Sequence, residues 1–196
     1  MRMVVDDDME KLAVLSLPSK PDPELSPVDV VHALCSGLKH NNIPTPDAGK
    51  TRCFEFTTYE CRAALTSRKG YKYGLVERFI EHATLYTLVG SLSYVVGEPT
   101  LIPGTQTRGA LCSICVDVTE QYGFRGPSGF ERQPLPEDAQ RYRVREDGVA
   151  EVRTERFRFE LEQQRRPPLI GCWMVKALMP MREHMMFNGD SGAVQG

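Results

Sequence analysis

Asp47, His82 and Asp117 are the residues of this chain whose types could do proton chemistry. A histidine changes charge near neutral pH, and paired with a carboxylate it could exchange the proton that a dehydratase or isomerase must move. Asp47 lies in the turn Asn42-Ile43-Pro44-Thr45-Pro46-Asp47-Ala48-Gly49, His82 at the edge of a helical stretch and Asp117 on a strand. Their spacing alone does not bring them together. Each also has a plain structural use, as a turn cap, a solvent-edge helix residue and a hydrogen-bonded strand residue.

Tyr59, Tyr86 and Tyr94, with Trp173, could line a ligand pocket with amphipathic rings, or simply pack. Arg68, Lys69 and Lys72, with Tyr71 and Tyr73 between and beside them, form a short basic turn that could meet phosphate or an acidic partner. Arg165 and Arg166 stand before two prolines, where they could face an acidic surface at a hairpin end. Cys112 and Cys115 imitate a metal or redox motif, yet on a strand their side chains point to opposite faces, and no second close pair follows. We therefore expect no metal site. No phosphate-binding loop and no nucleophile elbow is present, so common nucleotide-dependent and serine-hydrolase mechanisms are disfavoured and no cofactor is expected.

Composition narrows the class further. The 24 basic and 26 acidic residues of this 196-residue chain are interspersed and leave a formal net charge of -2, which makes nucleic-acid binding unlikely. Six cysteines without dense pairing point to a reduced interior with mostly buried thiols. Asp6, Asp7, Asp8 and Glu10 occupy the place where a signal peptide would need an apolar segment, and no run is long enough for a membrane span. The expectation is a soluble intracellular protein, in cytoplasm or plastid interior.

The elements that would position these residues follow from periodicity. Residues 1–25 read as a flexible arm, and Ser26-Pro27-Val28-Asp29 as a strong helix start. That helix runs to about Asn41, with Val31, Leu34, Cys35 and Leu38 on its buried stripe; Gly37 weakens it or admits a close neighbour. Phe54 and Phe56 precede a short helix over 58–65, and a second long helix is expected over 75–84. Leu88, Val89 and 92–96 carry strand formers, and 108–119 alternates as a strand. Residues 120–148, rich in glycine and proline, form a long insertion. Phe157, Phe159 and Leu161 alternate with Arg158, Glu160 and Glu162; after Pro167, Pro168 and Gly171, a partner strand runs from about Cys172 to Leu178. Residues 26–180 thus form one α+β domain of helices packed on a mainly antiparallel sheet, and 181–196 a tail.

In this order, Ser26-Pro27, the turn from Asn42 to Gly49 with Phe54-Glu55-Phe56, Gly74 through Phe79, and Phe157 through Leu161 with Gln164, Pro167-Pro168 and Gly171-Cys172-Trp173-Met174-Val175 resemble the DUF4864 family of uncharacterised proteins, found in bacteria and photosynthetic eukaryotes. The resemblance spans about residues 26–179. It implies a conical domain of the nuclear-transport-factor-2-like, or SnoaL-like, type, with N-terminal helices against a strongly bent antiparallel sheet. That superfamily holds enzymes, carriers and protein-binding domains. A noncatalytic scaffold, assembly or protein-interaction domain is the leading expectation, with a protein partner meeting the outer sheet face or the insertion, and a homodimer through the sheet as one arrangement. The alternative is a small-molecule enzyme or carrier acting in the cone.

Overall fold

The computed structural model describes residues 7–67, 75–85, 87–121 and 152–181. Arg68, Lys69, Lys72, Tyr86, nearly all of the expected insertion and the tail beyond Met181 lie outside the described residues.

Among the described residues, five helices precede a five-stranded antiparallel sheet, so the architecture is α+β: α1 (Asp7–Leu15), α2 (Pro27–Lys39), α3 (Ala48–Phe56), α4 (Tyr59–Leu65), α5 (Val76–His82), then β1 (Ser93–Val96), β2 (Thr100–Ile102), β3 (Leu111–Gln121), β4 (Val152–Gln163) and β5 (Trp173–Met181). None of the described helices is long and apolar enough to cross a membrane.

The start of α2 is fixed by local chemistry. Ser26 Oγ accepts from the Asp29 backbone N–H while the Asp29 carboxylate accepts from the Ser26 N–H, a reciprocal cap with Pro27 at the first turn. Val31, Leu34, Cys35 and Leu38 are all buried, as their spacing predicts. Gly37 proves to be a contact point: a Cβ built on Gly49 of α3 would fall 2.2 Å from the Gly37 carbonyl oxygen, so Gly49 lets the two helix backbones touch, while the bare Gly37 makes room for a side chain of α3. The Arg52 guanidinium lies against Gly37 from the same side, and its Nε donates to the Pro18 carbonyl.

Several expectations need correction. Phe54 and Phe56 do precede the expected short helix, α4, but they themselves end a further helix, α3, whose buried side is built from Gly49, Lys50, Arg52, Cys53 and Phe56, a set that hydrophobic periodicity does not register. The expected long helix over 75–84 shrinks to Val76–His82; Leu75 supplies no side-chain cap, and Ala83 turns extended. Leu88 and Val89 form no strand. Both N–H groups donate to the Leu85 carbonyl in a turn that ends at Gly90, whose φ of 64° suits glycine. Part of the arm expected to be flexible forms α1, held on α2 by Glu10 with Lys39 and by the buried Val14.

In the sheet the order is β1-β3-β4-β5, with β2 also on β3. β1 pairs with Val116–Thr119 and β2 with Leu111–Ser113, so the two short strands make one interrupted edge, broken at Gly97-Glu98-Pro99. The long β3–β4 ladder runs from Leu111 opposite Glu162 to Gln121 opposite Val152. β4 and β5 form the expected hairpin, turning through Pro167, Pro168 and Gly171 at φ 82°, with a bulge beside Glu160 and Leu161. The β5 edge is covered at Val175, where Thr57 forms a parallel bridge. Helices lie on one sheet face, and the core between them holds Phe56, Phe79, Phe159, Leu161, Ile114, Val116 and Trp173.

Candidate functional site

Burial sorts β4 by parity. Phe157, Phe159 and Leu161 turn inward toward the helices, and Arg156, Arg158, Glu160 and Glu162 turn outward. Glu155 has the inward parity, placing a carboxylate two residues before the apolar run Phe157, Phe159 and Leu161. It faces a cavity of about 480 Å³ at this end of the sheet.

The cavity is walled by α4 through Cys61, Ala64 and Leu65, by Thr84, Thr87 and Leu88 of the connecting segment, and by β4 and β5 from Glu155 and Phe157 to Leu178 and Pro180. Cys61, Ala64 and Leu65 fall at i, i+3 and i+4 and so share one helix face. α4 starts at Thr58, whose hydroxyl accepts from the Cys61 N–H and whose own N–H donates to the Val175 carbonyl, tying the helix to β5. At the far end Thr84 closes on the helix through its N–H and its hydroxyl, both donating to the Leu65 carbonyl.

Two polar groups meet inside. Thr87, only 4% exposed, donates its hydroxyl to Glu155 Oε2 at 2.5 Å. Burial pushes the Cys61 thiol up to about 12, so it remains protonated at neutral pH and is not a thiolate nucleophile. The lining is thus mostly apolar, with a carboxylate, two hydroxyls and a thiol.

Asp47, His82 and Asp117 stand elsewhere, and none lines this cavity. Asp47 occupies a left-handed turn at φ 58°, accepts from Asn41 Nδ2 at 2.9 Å and lies 3.8 Å from Lys50 Nζ. It gives α3 no side-chain cap. Lys50 is buried, which lowers its pKa, and its ammonium donates to the Ile80 carbonyl. His82 lies beside its neighbour Glu81 at 3.6 Å, at the end of α5. Asp117 sits on the outer face of β3 in a two-bond ion pair with Arg156, whose hydrogen bonds hold its carboxyl below the usual range. The three candidates therefore belong to a turn, a helix end and the outer sheet face.

The aromatic candidates are dispersed as well. Tyr59 is largely exposed at the start of α4, while Trp173 is buried in the core. Tyr94 is half-buried, its ring 5.8 Å from that of His32, and burial is the main cause raising its phenol pKa. Arg165 and Arg166 are exposed at the hairpin turn, where Arg165 also donates to the Gln106 carbonyl. Cys112 is buried and Cys115 half-exposed on the opposite face, and among the described residues no group of three or more His, Cys, Asp or Glu could hold a metal ion.

Glu155 was legible by one signal: it continues the parity of Phe157, Phe159 and Leu161 two residues upstream. Thr84 and Thr87 carried none, since nothing in their flanks marks the segment as a cavity wall. No protein-family model, curated protein or solved structure matches this chain.

Proposed function

We propose that this protein is a noncatalytic scaffold or assembly domain that meets a protein partner through the outer face of its sheet, on a cone of the nuclear-transport-factor-2-like type. The observation that carries this reading is the outer face of the β3–β4 ladder, which no described element covers. Its Asp117–Arg156 pair and half-exposed Arg158, Glu160 and Glu162 are bordered by exposed Val95, Ile102 and Met181. An apolar rim around a charged, internally paired centre offers both buried area and register to a partner. The placement of the helices on the other face of an antiparallel sheet supports the cone, and the dispersal of Asp47, His82 and Asp117 supports a noncatalytic role.

The test is affinity copurification with the full chain and with Val95→Glu, read by mass spectrometry, together with sedimentation of the purified proteins. Val95 is 67% exposed, so the variant should melt like the wild type. A partner, whether another protein or a second copy, should be lost with the variant. Association unchanged by Val95→Glu would remove the outer face from the proposal.

A second reading, a small-molecule carrier, is favoured by the cavity around Glu155 and Thr87, whose volume falls in the small-molecule range. Acid–base catalysis there lacks the support of a histidine among the described lining residues.

A further inference from the structure

The charges of the outer sheet face have an order along β4, and that order selects a partner, on the reading that this face is where the protein meets one. We propose that the partner is a second copy of this chain, laid face to face with its β4 antiparallel to the first, on a two-fold axis that crosses β4 between Arg158 and Glu160.

The outward row of β4 reads Arg156, Arg158, Glu160, Glu162, two cations followed by two anions. Such a row is its own complement when reversed. In a symmetric dimer the same patch must fit itself. A two-fold axis lying in the interface across the strands turns the second β4 end for end, which sets Arg158 of one copy over Glu160 of the other and Arg156 over Glu162. An axis along β4 would instead stack arginine on arginine and glutamate on glutamate, and like charges placed face to face are costly. The charges therefore choose the antiparallel arrangement. Each is also paired within its own chain, Arg156 with Asp117, Arg158 with Glu160 and Glu162 with Lys176, so the second copy extends these pairs into a network.

The same rotation can be followed across the sheet through the strand register. Val95 lies opposite Asp117, which lies opposite Arg156; Ile102 lies opposite Leu111, which lies opposite Glu162. The operation that brings Arg156 over Glu162 thus brings Val95 over Ile102. These side chains are 67% and 50% exposed, and each would bury apolar area against the other. On β3 it brings Cys115 over Ser113, two small side chains that leave room for the longer ones beside them. One rotation satisfies the charges and the apolar edge together. Facing sheets pack about 10 Å apart, a gap that arginine and glutamate side chains reaching from both sides can close. Charges at the centre supply register more than affinity, so the dimer is a concentration-dependent one, and in dilute solution the face is solvated.

Sedimentation velocity of the full chain over a concentration series tests this. Wild type should pass from monomer to dimer as concentration rises. Arg158→Glu and Glu160→Arg change side chains that are 42% and 41% exposed, so both variants should melt like wild type. Each sets like charges across the axis and should raise the dissociation constant at least about tenfold. Mixed in equal amounts, the two variants should associate again, because the two glutamates of one chain then face the two arginines of the other. A dimer indifferent to both single reversals, or variants that stay apart when mixed, overturns the antiparallel arrangement. A wild type that stays monomeric at every concentration overturns the second copy as partner. The outer face then still stands as a binding surface if Val95→Glu loses a different protein in copurification, and falls as well if it loses none.

Discussion

The two faces of the β3–β4 ladder share one backbone and one register, yet follow opposite rules. Facing the helices, Cys112, Ile114, Val116 and Val118 meet Phe157, Phe159 and Leu161, each nearly or fully buried. Facing away, Asp117 pairs with Arg156, Arg158 with Glu160, and Glu162 with Lys176 of β5. The inner face derives its stability from area removed from water; the outer face supplies charges that satisfy one another in solvent and contribute little each. A one-residue slip would exchange the two sets and bury every charge, so the alternation also fixes the register. The apolar inner run of β4 stops at Glu155, and the cavity lies at that end of the sheet.

The comparison predicts its largest effect at Phe159, 1% exposed at the centre of the inner face. Phe159→Ala should lower unfolding stability in urea by about 3–5 kcal/mol. Phe157→Ala, beside the cavity, removes a side chain that already lacks neighbours on one side and should cost less. Equal losses at both positions would show that the inner face is packed uniformly to its end.

The same face can be probed with pH through the thiols packed against it. Burial pushes Cys35 and Cys61 up to about 12 from an ordinary 9.0, and Cys53 higher still. A raised thiol pKa contributes stability that is fully present below the unfolded value and is lost as pH rises through the folded one. The window is therefore about pH 9 to 12, and each thiol should contribute a loss of roughly 1.4 kcal/mol per pH unit. Cys35→Ala lacks one of these groups. Its stability deficit relative to wild type, measured by urea midpoints at pH 8, 9 and 10, should narrow above pH 9; a constant deficit would mean that Cys35 titrates while folded.

These effects show what the chain made readable. The β3 and β4 alternation, the Ser26-Pro27-Asp29 start of α2 and the hairpin around Pro167 and Gly171 each rest on contacts within a few residues, so local patterns suffice. α3 was hidden because its inward side contains Lys50 and Arg52, which are buried only by virtue of Gly37 and the Ile80 and Pro18 carbonyls, all distant in sequence. The cavity was hidden for the same reason. Its wall joins α4, the segment after α5 and two strands, and only Glu155 bore a local mark. Asp47, His82 and Asp117 were singled out for their chemical type, whereas their positions are set by a turn, a helix end and a cross-strand arginine.

A middle-sized effect comes from the helix that covers the inner face. Ser26→Ala removes the oxygen that accepts from the Asp29 N–H and the hydroxyl bonded to its carboxylate. The loss should be about 1 kcal/mol, read from thermal or urea unfolding, with the fold unchanged. Asp29 is held below its ordinary pKa chiefly by the Ser26 hydroxyl, so the cap's contribution is present above the unfolded carboxyl pKa and fades as pH falls through the folded value. Wild type and Ser26→Ala should therefore converge in stability on acidification.

The smallest effect belongs to the outer face and is the sharpest test of the contrast. Asp117 and Arg156 make two hydrogen bonds at 2.6 and 2.8 Å, and in a buried site removing one partner of such a pair would cost about 3–5 kcal/mol. Both side chains are more than a third exposed, and water screens the attraction while competing for every lone pair. Asp117→Asn should cost less than about 0.5 kcal/mol near neutral pH. The Arg156 bonds lower the Asp117 carboxyl, so its small contribution exists above the unfolded carboxyl pKa and is lost as pH falls through the folded one; variant and wild type should then coincide. A loss above about 2 kcal/mol would mean that the pair is shielded from solvent in the purified protein. The described residues leave this face open, and if a second copy across the sheet supplies the shielding, sedimentation of Asp117→Asn should show the assembly dissociating along with the stability.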